Sequence, residues 1–119
     1  MSYDIRLTDP VTFQTLQTED KHFMTGGTYA VGGSNELRLN VTYNYGKHYY
    51  NIFGDNGIRT IYRMTGAESI PVLNKAISKL GDDVTSNYWD DTEGNAKVAL
   101  YKLLAMAKCD LTECGLEIN

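Results

Sequence analysis

Hydrophobic and polar positions alternate most cleanly between Glu36 and Tyr45. Leu37, Leu39, Val41, Tyr43 and Tyr45 fall on one side, and Glu36, Arg38, Asn40, Thr42 and Asn44 on the other. Successive side chains of a strand point to opposite faces, so this stretch predicts a strand with one face packed and one wet. That alternation fits an antiparallel sheet covered on one side; a doubly covered parallel sheet would read as a continuous apolar run. Tyr3-Asp4-Ile5-Arg6-Leu7 alternates in the same way, Asp9-Pro10-Val11-Thr12 supplies turn chemistry, and Phe13-Gln14-Thr15-Leu16-Gln17 follows with β-type residues. Together they predict an N-terminal hairpin. Glu19-Asp20-Lys21 reads as a polar corner, residues 27–31 as a short strand, and Gly32-Gly33-Ser34-Asn35 as a turn.

Beyond Gly46 the period lengthens. Tyr49, Ile52 and Phe53 stand at the spacing of a short helix's buried stripe, closed by Gly54-Asp55-Asn56-Gly57. Ile58, Ile61 and Tyr62 repeat that spacing, so helix is favoured over strand for residues 58–64. Thr65-Gly66-Ala67-Glu68 has capping-box form, although Pro71 makes Ser69 a competing helix start. Ile70, Leu73, Ile77 and Leu80 share a face, and Gly81 stands where a left-handed cap is expected. A last helix begins at a Thr92 cap and runs to about Lys108. Glu93 and Lys97 can pair along it, and Ala96, Ala99, Leu100, Leu103, Leu104 and Ala107 form its apolar stripe. Strands first and helices after predict an α+β fold. A small antiparallel sheet from the N-terminal half carries the C-terminal helices on one face, in a single domain spanning 1–119 with 110–119 as a tail.

Charge narrows the partners. The formal net charge is -4 and the basic residues form no run, so a duplex nucleic-acid backbone has no electrostatic track. A small phosphate-bearing ligand, which needs only one or two cations, stays admissible, as does a basic protein partner. No apolar run approaches the ~20 residues of a membrane-spanning helix. Nothing at Met1-Ser2-Tyr3-Asp4 resembles a cleaved signal, so a cytoplasmic protein is expected. Cys109 and Cys114, spaced C-x4-C, read as a helix-end packing residue and a tail residue. His22 and His48 stand far apart with no H-x-x-x-H pair, and no metal or other cofactor is expected. Asp82-Asp83 and Asp90-Asp91 read as solvated turn and helix-start residues. With no nucleophile elbow, phosphate loop or H-E-x-x-H stretch, catalysis is not expected.

Four of the nine tyrosines fall within Tyr43-Asn44-Tyr45-Gly46-Lys47-His48-Tyr49-Tyr50. A tyrosine buries its ring while its hydroxyl needs a partner or water, so this cluster fits either a corner filled by large side chains or a half-wet contact surface. His48 could hydrogen-bond a ligand there. The only tryptophan, Trp89, precedes a helix whose first turn holds Gly94 and Asn95, residues of poor helix propensity. Either Trp89 packs over the helix start, or Gly94 admits a neighbouring backbone or a ligand. Gly26-Gly27-Thr28-Tyr29-Ala30-Val31-Gly32-Gly33 leads into a strand and not into a helix, which removes the phosphate-cradle geometry. Its glycines read as hinges of a β-arm carrying Tyr29.

GGTYAVGG, LRLNVTYNYGKHYY, FGDNGIRTIYRMTGAESIPVLNKAISKLGDD and YWDDTEGNAKVALYKLLAMA together resemble small uncharacterised proteins of bacteriophages and prophages, over about residues 25–107. The resemblance brings no catalytic residues. It implies a setting, antagonism of host defence by a stoichiometric binder. In that setting a non-enzymatic, oligomeric protein would sequester a nucleotide-derived signal. Tyr29, Tyr43 or Tyr45 would stack on a base, Arg59 and Arg63 would pair with phosphate, and Asn95 would read a polar edge; His48 and Trp89 complete the candidate ligand-binding set. The alternatives are an acidic inhibitor of a basic host protein, such as a nucleic-acid-handling enzyme, and a virion structural or assembly protein.

Overall fold

A computed structural model describes residues 2–9, 11–12, 14–22, 34–87, 89–109 and 115–118. Among these residues five strands form, β1 (Ser2–Thr8), β2 (Gln17–His22), β3 (Ser34–Glu36), β4 (Arg38–Thr42) and β5 (Gly115–Ile118). Three α-helices join them, α1 (Gly46–Phe53), α2 (Gly66–Ser78) and α3 (Glu93–Cys109), with short 3-10 segments at Tyr43–Tyr45 and Gly57–Ile61. The fold is α+β, as the order of patterns predicts. The expected strand at 27–31, and Tyr29 with it, lies outside the described residues.

The main sheet has the order β4-β1-β5, antiparallel throughout. Ile5 stands opposite both Leu39 and Ile118, and Tyr3 opposite Val41. These rungs form the packed face, with Tyr3, Ile5, Leu7, Leu39, Val41 and Ile118 all buried. α3 lies against β4 and α2 against α3, so Leu73, Ile77, Leu80, Leu100, Leu103 and Met106 complete one core. On the other face Asn40 Nδ2 donates to Ser2 Oγ (2.8 Å), and Arg38 lies 3.7 Å from the Asp4 carboxylate. No helix of the described residues is long and apolar enough to cross a membrane.

The N-terminal hairpin is only partly realised. Asp9 Oδ1 accepts the Val11 and Thr12 N–H groups (2.8 and 3.0 Å), and Thr8 bridges Thr15, so the predicted turn forms. The second arm then leaves β1. Leu7 donates to the Leu37 carbonyl (3.0 Å), Leu37 to that of Leu16 (2.8 Å), and Leu16 to that of Leu7 (2.9 Å), closing a triangle of backbone bonds. Beyond it β2 pairs with β3 as a separate ribbon. The expected polar corner at Glu19-Asp20-Lys21 lies inside β2, and Ser34-Asn35, expected as turn, inside β3.

The central strand ends earlier than its alternation suggests. The Thr42 hydroxyl accepts the Asn44 N–H (3.2 Å) and caps a 3-10 turn, so Tyr43 and Tyr45 leave the sheet. Of residues 58–64, favoured as helix, 58–61 are helical within the 3-10 segment Gly57–Ile61, while 62–64 lie beyond it. The Thr65–Glu68 capping box forms with both bonds at 3.1 Å, and Pro71 is accommodated inside α2. Gly81 does not take the expected left-handed cap. Among the described residues the positive-φ glycines are Gly54 and Gly57, and α2 ends through Lys79. Thr92 caps α3 as predicted, its hydroxyl accepting the Asn95 N–H (3.1 Å). The Lys97 ammonium, expected to pair with Glu93, reaches Asp82 Oδ1 at 2.7 Å and the Leu80 carbonyl at 3.3 Å. Gly115–Ile118, expected as tail, forms the outer strand beside β1.

Candidate functional site

Strand β1, the turn after β4 and the segment after α1 bring tyrosines and an arginine together. Tyr3 meets Tyr43 edge-on, with ring centroids 4.6 Å apart and planes at 68°. The Arg59 guanidinium carbon lies 5.0 Å from the Tyr3 ring centroid, within cation–π range. Two glycines make room for the cluster. A Cβ at Gly46 would stand 3.1 Å from the Tyr3 hydroxyl, and one at Gly57, where φ is +56°, 3.2 Å from the Tyr50 ring. Burial, reinforced by Tyr50, raises the Tyr3 phenol above its ordinary value, and the Arg59 charge opposes the shift.

Next to this cluster an open groove of about 460 Å³ is lined by Asn56, Arg59, Tyr62 and Ile118. Arg59 is the one charged residue among them. Among the described residues no carboxylate forms an ion pair with it. Arg63, in the left-handed region at φ 66°, lays its guanidinium 5.3 Å from the Tyr62 ring centroid and is not among the groove's lining residues. The groove thus combines a cation, an aromatic ring, an amide and an aliphatic side chain. Those are the elements that hold a phosphate, a flat ring and a polar edge.

The loop before α3 forms a second, braced surface. Asn95 is buried and its side chain makes four hydrogen bonds: Oδ1 accepts the Thr85 N–H (3.0 Å), while Nδ2 donates to Thr85 Oγ1 (3.1 Å) and to the carbonyls of Asn87 (3.1 Å) and Asp90 (3.0 Å). Gly94 is required by close approach, since a Cβ there would stand 2.5 Å from the Val84 nitrogen. Trp89 projects from this loop 59% exposed, its backbone N–H donating to Asn87 Oδ1 (3.1 Å) and its backbone carbonyl accepting from Asn44 Nδ2 (2.9 Å). Lys47 pairs with Asp91 at 2.8 Å and holds that carboxyl below its ordinary value. His48 Nε2 meets the Asp91 carbonyl, which can only accept, so this nitrogen carries the hydrogen.

The expected site residues therefore separate. Tyr43 and Arg59 come together, Arg63 stands one ring away, and His48 and Trp89 belong to the neighbouring loop surface. Tyr45 is 1% exposed, with its ring edge-on to Tyr49, and has no face to offer a base. Asn95 has its amide saturated by its own loop, so it shapes the surface without facing a ligand. Tyr3, Asn56, Tyr62 and Ile118 were not among the expected site residues, and Tyr50 entered only as a member of the tyrosine cluster. Only the Arg59–Tyr62 spacing of three could have signalled the groove. Among the described residues no three histidine, cysteine or carboxylate side chains gather to hold a metal ion. No known protein family, no curated protein and no solved structure matches the chain.

Proposed function

We propose that this protein is a non-catalytic binder whose groove at Asn56, Arg59, Tyr62 and Ile118 takes a phosphate-bearing, nucleotide-derived ligand. The observation that carries the reading is Arg59, a guanidinium without an ion-pair partner among the described residues, on the wall of a groove that also holds an aromatic ring. Arg59 would pair with phosphate, Tyr62 would stack on the base in place of Tyr45, and Asn56 would read a polar edge in place of Asn95. In the phage-type setting that the sequence resembles, such a binder sequesters a host defence signal. Mixing the purified protein with nucleotide second messengers should raise its Tm. Protein recovered from infected cells should release the ligand on denaturation. No shift and no released nucleotide would sink the reading.

A second reading rests on Trp89. An exposed indole on a loop fixed by Asn95 and Asn44, followed directly by Asp90 on a chain of formal charge -4, has the character of an anchor for a basic protein partner. Its sign would be a host protein that co-purifies at low salt, is lost at high salt, and is lost with Trp89→Ala.

A further inference from the structure

The charge on the groove narrows the ligand class, on the footing of the nucleotide-binding reading above. Among the described residues Arg59 is the one charged side chain lining the groove, and the chain as a whole carries a formal charge of -4. One guanidinium matches one phosphate through two parallel N–H donors. Every further negative charge on the ligand meets the repulsion of an acidic protein with no second lining cation among the described residues to offset it. Even one terminal phosphate monoester carries roughly -1.5 to -2 at neutral pH, and a triphosphate carries more. A phosphodiester carries a single charge. The groove's volume of about 460 Å³ falls in the range of small-molecule sites, roughly 300–1,000 Å³. Tyr62 and Ile118 give it apolar area for a base, and the Asn56 amide offers both a donor and an acceptor. We infer that the groove selects a singly charged phosphodiester nucleotide, cyclic or linear, over nucleoside triphosphates.

Calorimetric titration of the full chain in magnesium-free, low-salt buffer tests this. The probes are cyclic AMP and cyclic GMP, the dinucleoside monophosphates ApA and GpG, and the triphosphates ATP and GTP. At least one diester should bind about ten-fold or more tightly than either triphosphate. Binding confined to the cyclic or to the linear forms supports the inference and tells which source the groove takes. Arg59→Ala should weaken diester binding about ten-fold or more, Arg59→Lys less, and Arg63→Ala little, each variant first checked for an unchanged circular dichroism spectrum. If a triphosphate binds as tightly as the diesters, the inference is overturned while nucleotide binding stands. If no probe binds, both fall.

Discussion

At Gly94 two effects of opposite sign compete. On helix propensity alone, Gly94→Ala in the first turn of α3 would stabilise by up to about 1 kcal/mol. The added methyl would instead stand 2.5 Å from the Val84 nitrogen and 2.6 Å from the Asp83 carbonyl carbon, backbone atoms that cannot rotate away. Overpacking of that kind costs about 1–3 kcal/mol, so Gly94→Ala should lower the Tm and the urea midpoint. Asn95→Ala should act on the same loop by another route, leaving the Thr85 N–H and the Asn87 and Asp90 carbonyls short of a partner, at about 1–3 kcal/mol. Trp89 is the only tryptophan, so fluorescence anisotropy reports that loop alone and should fall in Asn95→Ala. Tyr3 gives a pH dependence. Its folded pKa lies above the ordinary 10.0, so its contribution is fully present below pH 10.0 and is lost as the pH rises through the folded value. Urea unfolding followed from neutral pH to about 11 should show stability falling at the alkaline end, with a shallower fall in Tyr3→Phe. The first turn of α3 also shows where sequence reasoning stops. A glycine and an asparagine of poor propensity announce a close approach and a hydrogen-bonding task, but the letters are the same whether the partner is a ligand or the chain's own loop.

Among the elements, the legible ones are those whose determinants are local. The capping box sets the start of α2 through two bonds within four residues, and both form as read. Thr65→Ala should cost about 1 kcal/mol, seen as a lower urea midpoint with an unchanged m-value. The packed face of β4 follows from its alternation for the same reason. Where that strand stops does not, because Tyr43 and Tyr45 keep the two-residue rhythm while the Thr42 hydroxyl turns the backbone into a 3-10 segment. Tyr45 is buried in both the expected and the observed arrangement, but among helices and not on a sheet. β2 and β5 were illegible because their partners are remote or their sequences too short to show a period. Gln17–His22 is polar throughout and is defined by pairing with β3, and Gly115–Ile118 has four residues. The groove was hidden for a related reason, since its wall joins the segment after α1 to Ile118 of β5.

For the whole molecule, the feature with the widest reach is the position of β1 between β4 and β5. Leu37, buried at the triangle where the β2–β3 ribbon branches away, joins three strand segments at once. Leu37→Ala should cost about 2–5 kcal/mol, more than an equivalent truncation at half-buried Leu16, as measured by chemical denaturation. The order β4-β1-β5 also gives the chain a schedule. The first strand cannot complete its hydrogen bonding until β5 arrives, so on a ribosome the flank of β1 that pairs with Gly115–Ile118 waits uncovered while helices α1 to α3 are made. Until Gly115–Ile118 emerges, that flank is an open template for any other extended chain, and the final strand acts as the latch that ends the exposure.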